Sequence, residues 1–123
     1  MRLPAEPTVT APDGADVRVL LGLAGGTMAH FSLAPGAVAR AVTHRTVEEI
    51  WYVVAGEGEM WRKAVTEEVV PLAPGTSLTI PLGTHFQFRC TGNVPLEAVA
   101  ITMPPWPGED EAAFVEGPWQ PTV

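Results

Sequence analysis

The side chains able to do chemistry lie mainly in two stretches. The first is Thr43-His-Arg-Thr-Val-Glu-Glu-Ile-Trp-Tyr-Val-Val-Ala-Gly-Glu-Gly-Glu-Met-Trp61, which holds His44, the adjacent carboxylates Glu48 and Glu49, an apolar run and a Gly-Glu-Gly turn. The second is Pro74-Gly-Thr-Ser-Leu-Thr-Ile-Pro-Leu-Gly-Thr-His-Phe-Gln-Phe-Arg-Cys90, which holds His85 and the single cysteine. Imidazole and carboxylate together are the groups of general acid–base catalysis, and also of divalent-metal ligation. Other reactive residues read as structural. His30 sits in mid-strand, and Glu48 reads as a solvated loop carboxylate. Cys90 reads as a small hydrophobe at a strand end with no histidine placed to activate it. Arg62 and Arg89 read as solvent-facing cross-strand charges.

The elements that must position these residues are short strands. Val17 to Leu23, Thr27 to Leu33, Ile50 to Ala55, Glu59 to Lys63, Glu67 to Leu72, Ser77 to Ile80, His85 to Cys90 and Leu96 to Met103 are β-branched or aromatic runs bounded by Gly, Pro, Asn or Asp. Ala37 to Val42 reads as a further extended piece, followed by a loop from Arg45 to Glu48. No segment carries helical period beyond two turns, and thirteen Pro and twelve Gly suit a chain made largely of turns. The expectation is an all-β antiparallel sandwich or barrel. An immunoglobulin-like sandwich is disfavoured because the Cys-Trp-Cys pattern is absent.

With 123 residues, one domain is expected, burying roughly two-thirds of the surface its unfolded chain would expose. The expected division is an N-terminal arm over 1–14, a β-barrel over 15–103 and a Pro-rich acidic extension over 104–123. The arm is expected to be loosely held or packed on a partner subunit. Formal net charge is −7, with only seven Lys plus Arg, scattered, so no nucleic-acid partner is expected. A single Cys rules out an internal disulfide framework. With no signal-like or membrane-length apolar run, the expectation is a cytoplasmic protein without a membrane partner.

The two stretches resemble the paired motifs of the cupin superfamily. The first motif runs from Gly36 through Val42-Thr43-His44 and Glu49 to Gly56. The second runs from Gly75 through Pro81-Leu82-Gly83 and Phe86 to Cys90. The resemblance spans about residues 27–103 and implies a double-stranded β-helix, or jelly-roll barrel. Metal-holding members use two His and a Glu of the first motif and a His of the second. His44 and Glu49 match, while Val42 stands at the first His position and Phe86 at the last. Counting from Gly83 and from Cys90 both reach Phe86, so His85 falls one residue early. Successive strand side chains face opposite ways, so His85 is expected to point out of the barrel unless a bulge re-aims it.

The same phase argument turns Val42, Trp51, Val53, Phe86 and Phe88 inward with His44 and Glu49. That gives an apolar, aromatic cavity whose polar feature is a His–Glu pair, the composition of a small-molecule pocket. His44 and Glu49 are the candidate catalytic acid–base couple, working without metal. Val42, Trp51, Val53, Phe86 and Phe88 are candidate ligand-binding residues. Trp106 joins them if the segment from Met103 to Glu111 is a lid over the barrel mouth rather than a strap along its exterior. One divalent transition-metal ion on His44, Glu49 and His85 is the competing cofactor expectation. Three functions follow: a small-molecule-binding cupin with a degraded metal site, a metal-dependent dioxygenase or isomerase using those three residues, or a non-catalytic dimeric scaffold. The resemblance implies a homodimer.

Overall fold

The computed structural model describes all residues, 1–123, as two facing antiparallel sheets. The strands are β1 (Val9–Thr10), β2 (Asp16–Leu23), β3 (Gly26–Leu33), β4 (Val42–His44), β5 (Glu48–Ala55), β6 (Gly58–Lys63), β7 (Glu67–Leu72), β8 (Ser77–Ile80), β9 (His85–Cys90), β10 (Leu96–Met103) and β11 (Ala112–Phe114). One sheet has the order β1-β2-β3-β10-β5-β8 and the other β11-β4-β9-β6-β7. The last long strand, β10, therefore returns to lie between β3 and β5. This is an antiparallel barrel, as the spacing of turns predicts, in the jelly-roll, double-stranded β-helix arrangement that the resemblance implies.

Side-chain alternation fixes the register. Along β5 every second residue is buried, so Glu49, Trp51 and Val53 face inward while Glu48, Ile50, Tyr52 and Val54 face out. β10 alternates in the same way, burying Leu96, Ala98, Ala100 and Thr102. The two inner faces enclose one apolar core that includes Leu33, Val53, Met60, Leu72, Leu78, Phe88, Cys90 and Leu96. The Gly56-Glu57-Gly58 turn between β5 and β6 must pass close to other backbone. A Cβ on Gly56 would lie 2.3 Å from the Pro95 carbonyl oxygen, and one on Gly58 would lie 2.2 Å from that of Arg89. No side chain fits either position, and Gly56 also takes a positive φ of 78°.

Both chain termini are held against the barrel. The N-terminal arm is held by its own barrel: β1 pairs with β2, Thr8 donates its amide to the Val17 carbonyl, and Arg18 donates to the carbonyls of Pro4 and Ala5. The C-terminal extension adds β11 beside β4. Its tail then crosses the outside of β9, where Gln87 Nε2 donates to Ala39 and Trp119 carbonyls and Gln87 Oε1 accepts from the Trp119 amide. Gln87 is 0% exposed although it points away from the core. Ala37 to Val42 is largely irregular, with a single bridge from Val38 to Arg89 before β4 begins. Arg62 pairs with Glu68 and Arg89 with Glu59 across strands, as expected of surface charges.

Candidate functional site

The cavity opens at the end of the barrel where β4, the start of β5, the end of β10 and the N-terminal arm meet. It has a volume of about 360 Å³. β4 contributes Val42 and His44, β5 contributes Glu49 and Trp51, and β9 contributes Phe86. Val42 and Phe86 are directly opposed in the β4–β9 pairing, which puts both on one inner wall. Trp106, from the segment after β10, closes part of the mouth. Its amide donates to Thr27 Oγ1, and its ring meets His44 edge-on at 5.2 Å between centroids. Within the segment from Met103 to Glu111, Trp106, Gly108 and Glu109 border the cavity, and the tail beyond β11 runs along the exterior.

Val53 and Phe88 do not line the cavity, contrary to expectation. They face inward but lie deeper, among Met60, Leu78 and Leu96, where side chains from both sheets interdigitate and leave no space. Only the mouth-proximal half of each strand borders the open volume. Trp51 forms the boundary: its ring stacks on Phe31 at 5.1 Å and meets Phe88 edge-on at 5.1 Å.

His44 and Glu49 share the cavity but do not form a pair. They make no hydrogen bond to each other and are not within ion-pair distance. Glu49 Oε2 instead accepts a 2.7 Å hydrogen bond from Trp51 Nε1, two residues along the same face of β5. Burial, which leaves Glu49 4% exposed, pushes its pKa up to about 7; the Trp51 bond opposes the rise and nearby Asp13 adds to it. Burial lowers the pKa of His44, and the charge of Glu111 partly counters this. His44 is 8% exposed, and its Nδ1 is buried with no hydrogen-bond partner. A neutral imidazole can accept a proton and a protonated carboxyl can donate one, so both forms needed for acid–base chemistry are available near neutral pH.

Two carboxylates that shape the site, Asp13 and Glu111, are among its residues not read from the sequence. Asp13, 7% exposed, reaches the cavity from the turn between β1 and β2, where its Oδ1 accepts from the Ala15 amide at 3.0 Å. Desolvation raises its pKa to about 6 against the opposing backbone hydrogen bonds. The Asp13-Gly14 turn signal was legible, but nothing in it indicated that the arm folds back over the barrel mouth. Glu111, from the short 3-10 turn Glu109–Glu111, accepts from the amides of Arg45 and Thr46 and from the Thr46 hydroxyl. Burial pushes its pKa up, but these bonds outweigh it and hold the carboxyl below its ordinary value. Glu111 thereby fixes the loop between His44 and Glu49.

The expected metal set is not brought together. His85 lies on the other face of β9 from Phe86 and Phe88, half-buried, opposite Thr43 and Lys63 in the neighbouring strands. No bulge re-aims it, because the β4–β9 and β6–β9 registers run through His85 and Phe86 without a shift. No three His, Cys, Asp or Glu side chains converge as a metal-binding group. Val42 and Phe86 put hydrocarbon where the family's metal-holding members have imidazoles. The residues present do not fit a resident metal. The other titratable residues are structural: His30 Nε2 lies 3.1 Å from Glu97 on the outer face, and Cys90 is buried with Sγ 3.2 Å from the Val94 carbonyl oxygen.

Comparison with known proteins agrees with the topology. A family model described as "Cupin domain" matches residues 29–102. The xanthan biosynthesis protein XanB of Xanthomonas campestris is 34% identical over 82 residues, which is 67% of this chain and 17% of that protein. The chain thus spans about one-sixth of that relative's length. Among solved structures, the capsular polysaccharide assembling protein CapF from Staphylococcus aureus superposes with a TM-score of 0.72 at 18% identity, covering 84% of this chain and 32% of that one. Streptomyces Pac13, described as a unique nucleoside dehydratase and solved as a variant with uridine, superposes with a TM-score of 0.67 at 21% identity, covering 84% of this chain and 79% of that one. No helix is long and apolar enough to cross a membrane.

Proposed function

The chain belongs to the cupin family, and from that premise we propose that it binds a compact small molecule inside the barrel. The observation that carries this reading is the cavity itself. About 360 Å³ of open volume, walled by Phe31, Trp51, Phe86 and Trp106, is kept beside a tightly filled core. Protein interiors close such space unless something occupies it, because an unfilled void forfeits packing energy. The size and the apolar lining with a few placed polar groups are those of small-molecule sites. His44, Glu49 and Asp13 are the polar contacts, and His44 and Glu49 are the groups for proton transfer if the bound molecule is transformed.

The lining also bears on ligand class. No Lys or Arg lines the cavity, while Asp13, Glu49 and Glu109 do. A phosphate ester would meet carboxyls and no cation, so a phosphorylated sugar or nucleotide is disfavoured. The relatives' names concern xanthan and capsular polysaccharide, and Pac13 a nucleoside. A cavity of about 360 Å³ suits a compact ligand of one or two rings.

The test is a fragment screen by ligand-observed NMR on the wild type and on Ala29→Phe. Ala29 lines the cavity, so phenylalanine there should fill it while circular dichroism stays native. Hits lost in the variant support the reading. Hits that persist, or no hits in the wild type, refute it.

A further inference from the structure

The cavity's charge and hydrogen-bonding pattern favours one kind of ligand over the others that its size admits. Its titratable lining is Asp13, His44, Glu49 and Glu109, three acids and one imidazole, with no basic side chain. Asp13 and Glu49 are each bonded to another residue through one oxygen only. Asp13 Oδ1 accepts from Ala15 and Glu49 Oε2 from Trp51, while no other residue donates to the second oxygen of either. His44 adds a third acceptor, since its buried Nδ1 is also without a partner and a deprotonated imidazole nitrogen accepts an N–H. Around these stand the faces and edges of Phe31, Trp51, Phe86 and Trp106.

From this we propose that the ligand is an organic cation: a protonated amine on an apolar or aromatic body. An ammonium group carries N–H donors for these unpartnered acceptors, and its charge is opposite to that of the carboxylates. Aromatic walls attract a cation through the ring quadrupole and cover the hydrocarbon attached to it. A neutral alcohol has one donor and leaves buried acceptors unpaired, and an anion meets like charge in a desolvated site. The proposal rests on the small-molecule reading above and narrows it to a ligand class.

The experiment uses three probes with the same body and different charge: phenethylamine, phenethyl alcohol and phenylacetate. Each is titrated calorimetrically into the full chain at neutral pH. The amine is expected to bind about tenfold or more tightly than the alcohol, a difference of about 1.4 kcal/mol, and phenylacetate more weakly than either. Glu49→Gln and Asp13→Asn should each reduce the amine's advantage about fivefold and leave the alcohol's affinity within about twofold. Asn at position 13 retains the oxygen that accepts from Ala15, and Glu49→Gln tests the same point if that turn fails to fold. Equal binding of amine and alcohol, or an amine preference that survives both substitutions, overturns the cation assignment while leaving the cavity reading intact. If none of the three binds, and the fragment screen finds no cavity ligand, both readings fall.

Discussion

Replacing Glu49 by Gln should stabilise the protein at alkaline pH and have a much smaller effect in acid. Burial raises the carboxyl from 4.5 to about 7, so ionising it costs about 3 kcal/mol more in the folded chain than in the unfolded one, at about 1.4 kcal/mol per pKa unit. Because the folded pKa is the higher of the two, the protonated group's contribution is fully present below pH 4.5. It is lost as pH rises through the folded value near 7. Gln keeps an oxygen for the Trp51 Nε1 donor and cannot ionise. The variant's advantage should therefore grow by about 2–3 kcal/mol between pH 5 and pH 8. For a chain of 123 residues, with an unfolding entropy of about 2 cal/mol/K per residue, that is a differential melting shift of about 10 °C. Paired thermal melts of wild type and variant across that range give the answer directly. The slope with pH is the diagnostic, since the amide's own fit adds only a constant. A gap that stays flat with pH, or narrows as pH rises, would show that Glu49 ionises freely and that the cavity is wetter than its lining implies.

Three further outcomes follow. Glu111→Ala should cost about 2–3 kcal/mol at pH 7, because it strands the amides of Arg45 and Thr46. That penalty should fade as pH drops below 4.5 toward the carboxyl's lowered folded value, where wild-type Glu111 is protonated as well; denaturant titrations at several pH values check it, and a pH-independent penalty contradicts it. Val42→His combined with Phe86→His places two imidazoles on directly opposed inner positions beside His44 and Glu49, so the double variant should gain about a hundredfold or more in Ni²⁺ affinity by calorimetry; no gain means the four positions do not converge. The expected homodimer has a suitable surface in Ile50, Tyr52 and Val54, exposed on the outer face of β5. Tyr52→Glu with Val54→Glu should shift light scattering from dimer to monomer, and a wild type that is monomeric at every concentration removes the homodimer.

What was legible in the sequence follows the reach of its periodic signals. Eight of the strands are runs of four residues or more bounded by turn formers, so alternation declared both their existence and their inner faces. That is why Glu49, Trp51 and Phe86 fall on the cavity wall as expected, while Val42 and His44, on the three-residue β4, were placed there by motif spacing. Alternation states which way a side chain points but not how deep it lies, and Val53 and Phe88 therefore read as lining although the core fills their end of the barrel. Nor does it register pairings of two or three residues. β1 and β11 are too short to carry a period, yet their segments deliver Asp13, Trp106 and Glu111, which close the mouth, add the second carboxyl and fix the loop between His44 and Glu49. The supposed His–Glu pair failed for a related reason. Both residues face inward, but inward direction is not contact, and the indole two residues from Glu49 on the same face claims its oxygen at 2.7 Å. Two of the four motif positions that the resemblance assigns to metal ligands, Val42 and Phe86, hold hydrocarbon here, and Asp13 and Glu49 are each tied to a neighbour through one oxygen. Such a barrel keeps the family's place for a site but lines it with aromatic rings and acids instead of a full ligand set.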